Sequence, residues 1–384
     1  MARILLATTV KWPSAARLAG ALAALGCSVE AVFPAGHPIA ASRYLTRGHA
    51  YRPLRGLSSL AAAIRSSEPD RIVACDDRAL VLLLSLAEAD AEARRRLTRS
   101  FGPLDAYPVM MARARAVATA HDEHVEAPQT IALQDECDLP RAIEAVGLPA
   151  VLKAEGSWGG DGVAVVRTHD EALQAYWRLA GPPSRLRSLA RSVLRRDPHF
   201  LLDATHPRKA DVIVQAFIDG RPATSAVACR DGEVLAALHM DVVSWRGAAG
   251  PATVMRRTDC PQMAEAARRL VRRFRLSGLQ GFDFMRDEAG RAHLIEINPR
   301  ATQICHLALG PGHDLPAALL DLPARPPVTS KPVIALFPRA AGDGQAGAYY
   351  DFPGDDPGLV EAVRADASAP LWPPHPAVVR GAVS

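Results

Sequence analysis

Asp283, Glu296 and Asn298 stand in the segment GFDFMRDEAGRAHLIEINPR, Gly281 to Arg300, where two apolar-rich strands flank a polar turn, Asp287-Glu288-Ala289-Gly290. Closing that turn with Arg286 opposite Arg291 sets Asp283 across from Leu294. Cross-strand partners point the same way, so Asp283, Leu294, Glu296 and Asn298 are expected on one face. Phe282, Phe284, Ile295 and Ile297 take the other. Two carboxylates and an amide oxygen gathered in this way are hard donors. They suit Mg²⁺, or Mn²⁺ in its place, bridging nucleotide phosphates. The plain alternative is a solvated strand face carrying salt bridges.

A second segment, VLKAEGSWGGDGV from Val151 to Val163, delivers Lys153 on a strand. The chain then turns through Gly156, Ser157, Gly159, Gly160 and Gly162. Glycines let backbone N–H groups converge on a phosphate without Cβ interference, and the lysine adds a point charge. A glycine-rich turn alone is also an ordinary structural turn. A third segment, VIVQAFIDG from Val212 to Gly220, is a β-branched strand that could hold a purine between apolar walls by main-chain hydrogen bonds at Gln215, Ala216, Phe217 and Ile218. The fourth element is Arg113, which by itself is one more surface arginine.

Taken in order, this set resembles the ATP-grasp superfamily, to which D-alanine–D-alanine ligase, biotin carboxylase and the large subunit of carbamoyl-phosphate synthetase belong. The resemblance covers roughly Tyr107 to Leu320 and implies the following roles. Arg113, fifteen residues before Pro128, matches the basic residue that contacts phosphate. Lys153 matches the lysine of the "vKP" motif, and Gly156 to Gly162 the glycine loop, with Trp158 at its tip. Gln215 to Ile218 match the adenine hinge. Asp283, Glu296 and Asn298 match the metal set, with the Asp-to-Glu spacing of thirteen found in the peptide-ligase branch. Arg300 matches the arginine of the "NPR" branch, which holds the reacting phosphate or carboxylate. The implied activity is a carboxylate–amine ligase that uses ATP and passes through an acyl phosphate. An ATP-binding regulator without turnover and a small-molecule kinase on the same fold stay open. The sequence departs from the pattern at Gln215, where glutamate is usual, and at Pro222, where many members carry a ribose-binding glutamate. The extension that follows "NPR" in biotin carboxylase is replaced by Ala301-Thr302-Gln303-Ile304-Cys305-His306. That disfavours a bicarbonate and biotin reading.

The elements that must position these residues are expected in three parts. Residues 1–105 alternate strand and helix: Ile4 to Ala7, a helix from about Pro13, Ser28 to Phe33, a helix over Leu57 to Arg65, Arg71 to Cys75 and a helix over Ala79 to Ala87. This pattern predicts a small parallel βαβ domain, α/β in class. The turn after the first strand, Thr8-Thr9-Val10-Lys11, lacks the glycines of a dinucleotide site. Residues 106–322 form a two-lobed α+β domain with a small lid lobe at about 150–215, which includes a basic segment, Arg185 to Arg196, that looks inserted. Residues 323–384 are rich in proline and glycine and are expected to be a tail with little core. In open parallel sheets ligands lie beyond the carboxyl ends of the strands, so Asp76 and Asp77 are candidates for holding the amine substrate; a helix cap is the alternative.

Hydrophobic residues at 49% and charged residues at 22% describe a globular chain, not a disordered one. A net charge of +4 is spread over helical patterns, so nucleic acid is not the expected partner. No apolar run approaches the roughly 18 residues of a membrane helix. Six cysteines without CxxC spacing point to reduced thiols and a cytoplasmic setting. Small-molecule carboxylate and amine substrates are the expected partners, and a homodimer is compatible with the sequence.

Overall fold

Alternating apolar residues in the first strand divide the N-terminal region into two faces. In β1 (Arg3–Ala7), Ile4 and Leu6 pack with Leu18 and Leu22 of α1 (Ser14–Ala23), while Leu5 and Ala7 join the cluster of Leu60, Ile64, Leu80 and Leu83. The latter four lie on α2 (Gly56–Ser67) and α3 (Asp77–Ala89). With β2 (Ser28–Pro34), β3 (Arg47–Tyr51) and β4 (Arg71–Ala74), this gives a wholly parallel sheet of order β3-β2-β1-β4. Strand β3 has no apolar run to announce it. It is an edge strand, and of Arg-Gly-His-Ala-Tyr only Tyr51 is buried. The computed structural model describes residues 1–156, 162–181, 210–246, 250–338, 347–367 and 378–380. The basic segment Arg185 to Arg196 lies outside them. Among the described residues no helix is long and apolar enough to cross a membrane.

Helix α4 (Ala91–Phe101) leads through α5 (Tyr107–Met111) and α6 (Arg113–Asp122) into the small lobe. Its sheet is antiparallel with order β5-β8-β6-β7, built from β5 (Thr130–Leu133), β6 (Ala150–Ala154), β7 (Val163–Val166) and β8 (Val212–Ala216). Helices α7 (Leu139–Val146) and α8 (His169–Ala180) cover it with Leu139, Ile143, Tyr176 and Leu179. Because β5 bonds along β8, the lobe begins near Thr130 and not at 150.

The large sheet has eight strands. Its path runs β13-β12-β9-β10-β11-β14-β15, made of β9 (Gly220–Arg230), β10 (Glu233–Arg246), β11 (Ala252–Arg257), β12 (Gly278–Asp287), β13 (Ala292–Asn298), β14 (Val333–Leu336) and β15 (Tyr349–Asp351). Strand β16 (Val378–Arg380) pairs with β10 off this path. Helix Pro261–Phe274 packs its Met263, Leu270 and Val271 with Phe282, Phe284 and Leu294 of the hairpin.

The expectation of a coreless tail after 322 does not hold. Ile334 and Leu336 are buried in the same cluster as Ile4 and Leu6, and Leu359 of helix Pro357–Ala367 joins them. Polar clips tie the segment to the N-terminal domain: Ser42 donates to Asp356 at 2.5 Å, and Arg17 pairs with Asp351. Proline and glycine here shape short connections between strands that complete a sheet begun elsewhere, so the composition concealed a core contribution.

One junction fixes how the two larger parts meet. Gly102, just past α4, has φ +83°, and a Cβ there would lie 2.5 Å from the carbonyl oxygen of Arg275. The neighbouring Ser277 N–H donates to Phe101 O at 3.0 Å, so this carbonyl cannot move away cheaply. Gly102→Ala should therefore lower stability by roughly 1–3 kcal/mol. The urea unfolding midpoint checks this, and a midpoint equal to that of the unaltered protein would show that the junction yields freely.

Candidate active site

The β12–β13 hairpin carries the acidic residues, but in a register the turn alone did not reveal. Asp283 stands directly opposite Glu296, and Phe284 opposite Leu294, with an irregularity between Asp283 and Phe284. The extra residue is Ile295. It sends Leu294 into the core beside Phe284, where Leu294 is fully buried, instead of onto the face of Asp283. A β-bulge re-aims side chains in this way, and the tight polar turn could not announce it. Asp283, Glu296 and Asn298 nevertheless share one face. The Asn298 amide donates to Asp283 Oδ2 at 2.7 Å, and Thr224 of the adjacent β9 donates to Asp283 Oδ1 at 2.7 Å. Thr224 carried no signal in the sequence; it is the cross-strand partner of Asp283, known only once β9 and β12 pair.

Three cations converge on this face. Arg113, the first residue of α6, donates from Nη2 to Glu296 Oε1 at 2.9 Å and from Nη1 to Ala154 O at 3.0 Å, and lies 3.6 Å from Glu155 Oε2. It is no surface arginine. Lys153 is buried on β6 and donates to Gln215 Oε1 at 2.7 Å, while the Gln215 amide donates to Thr130. Arg300 donates from Nε to Asp77 Oδ1 at 2.8 Å and from Nη2 to Asn298 Oδ1 at 3.0 Å. Asp76 is the N-cap of α3, its side chain accepting the Ala79 N–H.

Burial governs the charge states. It presses the Lys153 ammonium down from 10.5 to about 8, and Arg113 adds to that, while Glu296, Asp283 and Glu155 oppose it. Asp283 is raised by burial and by the facing Glu296, and Glu155 is raised by burial. For Arg300 burial acts downward, yet Asp77 outweighs it and the guanidinium is held above its usual value. Asp283 and Glu296 thus face each other as carboxylates whose repulsion a divalent cation would relieve. Among the described residues no cluster of three or more His, Cys, Asp or Glu forms. The candidate donor set is two carboxylates and the Asn298 oxygen, which fits a hard cation that also takes phosphate oxygens.

The remaining expected residues fall around this centre. Gly156 has φ +68°, and Ala154 N–H donates to Gly162 O, so the stem of the glycine loop closes beside Lys153. Ser157, Trp158, Gly159 and Gly160 lie outside the described residues. Ala216 ends β8, its N–H donating to Gln129 O at 2.9 Å. Phe217 and Ile218 stand half-buried where the chain passes from the small sheet to β9 of the large one.

A parallel N-terminal domain, a small antiparallel lobe and a large sheet that presents acids and an Asn to a lysine from the lobe define the ATP-grasp fold, and this chain has it. Residues 193–303 match the family model of the ATP-grasp domain. The structure is similar to the biotin carboxylase domain of 2-oxoglutarate carboxylase from Hydrogenobacter thermophilus, in complex with MgADP, ADP and bicarbonate, with TM-score 0.60, 14% identity, and coverage of 85% of this chain and 71% of that one. It is also similar to N5-carboxyaminoimidazole ribonucleotide synthetase from Thermus thermophilus, with TM-score 0.59, 19% identity and coverage of 84% and 79%. The N5-carboxyaminoimidazole synthetase from Staphylococcus aureus complexed with ADP gives TM-score 0.60, 12% identity and coverage of 85% and 79%. At these identities the likeness is one of fold. No protein of curated function matches the chain in sequence.

The depressed Lys153 pKa has a measurable consequence. Between about pH 8 and pH 10.5 the unfolded chain keeps this proton and the folded chain does not, so Lys153 makes stability rise with pH across that window. Lys153→Met lacks this slope. Its stability advantage at pH 7 should shrink as pH approaches 10, read from urea unfolding at each pH. An advantage independent of pH would show that the ammonium is not buried as described.

Proposed function

We propose that the protein is an ATP-dependent carboxylate–amine ligase that forms an amide or peptide bond through an acyl phosphate and releases ADP and phosphate. The observation that carries this reading is the ion pair of Arg113 with Glu296, side chains 183 residues apart in sequence, with Lys153 beside them. A set of this kind addresses the β- and γ-phosphates of a nucleotide. The named neighbours, whose structures contain ADP or MgADP, support the nucleotide.

Arg113 and Lys153 hold the phosphate oxygens, while Gln215, Ala216, Phe217 and Ile218 receive the adenine. Asp283, Glu296 and Asn298 would hold Mg²⁺, which when bound neutralises charge spread over the β- and γ-oxygens. Arg300 orients the acid substrate. One carboxylate oxygen attacks the γ-phosphorus, the bond to the bridging oxygen breaks, and ADP leaves. The amine nitrogen then adds to the acyl carbon and loses a proton, and inorganic phosphate departs. Positioning and electrostatics suffice for both steps, so no nucleophilic cysteine or serine is required.

Screening pairs of amino acids and small acids for ADP release, with hydroxylamine as the trap, tests the reaction. A ligase yields ADP and a hydroxamate; a kinase yields a stable phosphoester; a binding protein yields neither. AMP as the stoichiometric product would exclude the acyl phosphate.

Glu296→Gln should lower turnover by about 100-fold or more. The glutamine oxygen still accepts from Arg113, so the melting temperature should hold. Near-normal turnover in this variant would remove Glu296 from the metal set.

A further inference from the structure

Two adjacent acids leave the end of β4, and the structure gives them different tasks. Asp76 is used up by the fold: Oδ1 accepts the Ala79 N–H at 2.8 Å and the Thr9 hydroxyl at 2.7 Å, and Oδ2 accepts the Thr9 N–H at 2.6 Å. Asp77, in the first turn of α3, caps nothing. Its carboxylate crosses to the other domain, and Oδ1 accepts Arg300 Nε–H at 2.8 Å. The two side chains are 21% and 12% exposed, so this pair is largely shielded from water.

Arg300 is restrained on several sides. Beyond Asp77, Nη2 donates to Asn298 Oδ1 at 3.0 Å, Nη1 reaches Ala301 O at 3.4 Å, and the Trp12 ring centre lies 5.7 Å from the guanidinium carbon. The next backbone group is anchored too, since Ala301 N–H donates to Ala74 O at 3.0 Å at the end of β4. A guanidinium carries five N–H donors. Among the described residues three are engaged, which leaves one on each Nη for a ligand. That pair of donors is the fork that takes two oxygens of a carboxylate or phosphate.

We infer that Asp77 is a positioning residue lent by the N-terminal domain. It holds Arg300 by Nε and so aims the two Nη groups at the reacting anion. This rests on the ligase reading, in which Arg300 receives that anion. It gives Asp77 a different task from contact with the amine. It also explains why the N-terminal domain is docked at this point: without it the arginine has a partner in Asn298 but no counter-charge at Nε.

The probe is inorganic phosphate, the released product, titrated calorimetrically into the full-length protein saturated with MgADP. Asp77→Ala should weaken phosphate by about 10-fold or more, because the Nε–H anchor is lost. Asp77→Asn should stay within about threefold of the unaltered protein, since its amide oxygen accepts the same N–H. MgADP affinity and melting temperature should change little in either variant. Should the alanine variant fail to fold, Asp77→Ser, whose hydroxyl is too short to reach Nε, serves the same comparison. Unchanged phosphate affinity in the alanine or serine variant overturns the inference. Tighter phosphate binding overturns it as well and marks Asp77 as a competitor for Arg300. Equal weakening of phosphate and MgADP would reduce Asp77 to a structural role. If the unaltered protein binds MgADP but no phosphate, the assignment of Arg300 to the reacting anion fails, and the inference falls with it.

Discussion

The contact between Arg113 and Glu296 at 2.9 Å is the constraint on which the centre of this molecule depends. Arg113 opens α6, Glu296 lies on β13 of the large sheet, and the same guanidinium donates to Ala154 at the end of β6 in the small lobe. One side chain, about a twelfth exposed, therefore ties three elements together. Such a pair is costly to form, because two ions leave water, and costly to break, because the survivor stays buried without its partner. The geometry of the lobe against the sheet follows from satisfying it.

The rest of the site extends the same logic outward. Asp283 is held by Thr224 and Asn298, Asn298 by Arg300, and Arg300 by Asp77, so a continuous polar chain runs from the large sheet to the N-terminal domain. Lys153 meets a neutral partner, Gln215, and pairing a buried ammonium with an amide leaves its charge poorly compensated. That is the physical origin of its depressed pKa, and it makes the centre receptive to further negative charge. Asp283 and Glu296 make the opposite demand, for added positive charge. A nucleotide phosphate carried with a divalent cation answers both demands at once.

Much of this was legible in the residues. Period-two alternation in Ile4 to Ala7 foretold a strand buried on both faces, and turn residues foretold the β6–β7 and β12–β13 hairpins. Acids and an asparagine at alternate positions foretold a shared face. The register was not legible, because the bulge at Ile295 arises from packing Leu294 into the core against Phe284. Edge strand β3 and the core role of Ile334 and Leu336 were equally hidden, since both depend on neighbours distant in the chain.

What the sequence determined by itself was the inventory: which residues could bind phosphate, which could bind a cation, and the order of elements that carry them. Side-chain chemistry and local periodicity are properties of short segments, so they can be read without coordinates. What only the tertiary structure decided was partnership. Arg113 became a buried counter-ion, Thr224 an anchor for Asp283, Asp76 a cap, and Asp77 the mate of Arg300 across 223 residues. Adjacent acids with the same composition received opposite duties because one points into its own domain and the other out of it. That direction is set by how two domains dock, and no segment shorter than the whole chain encodes it.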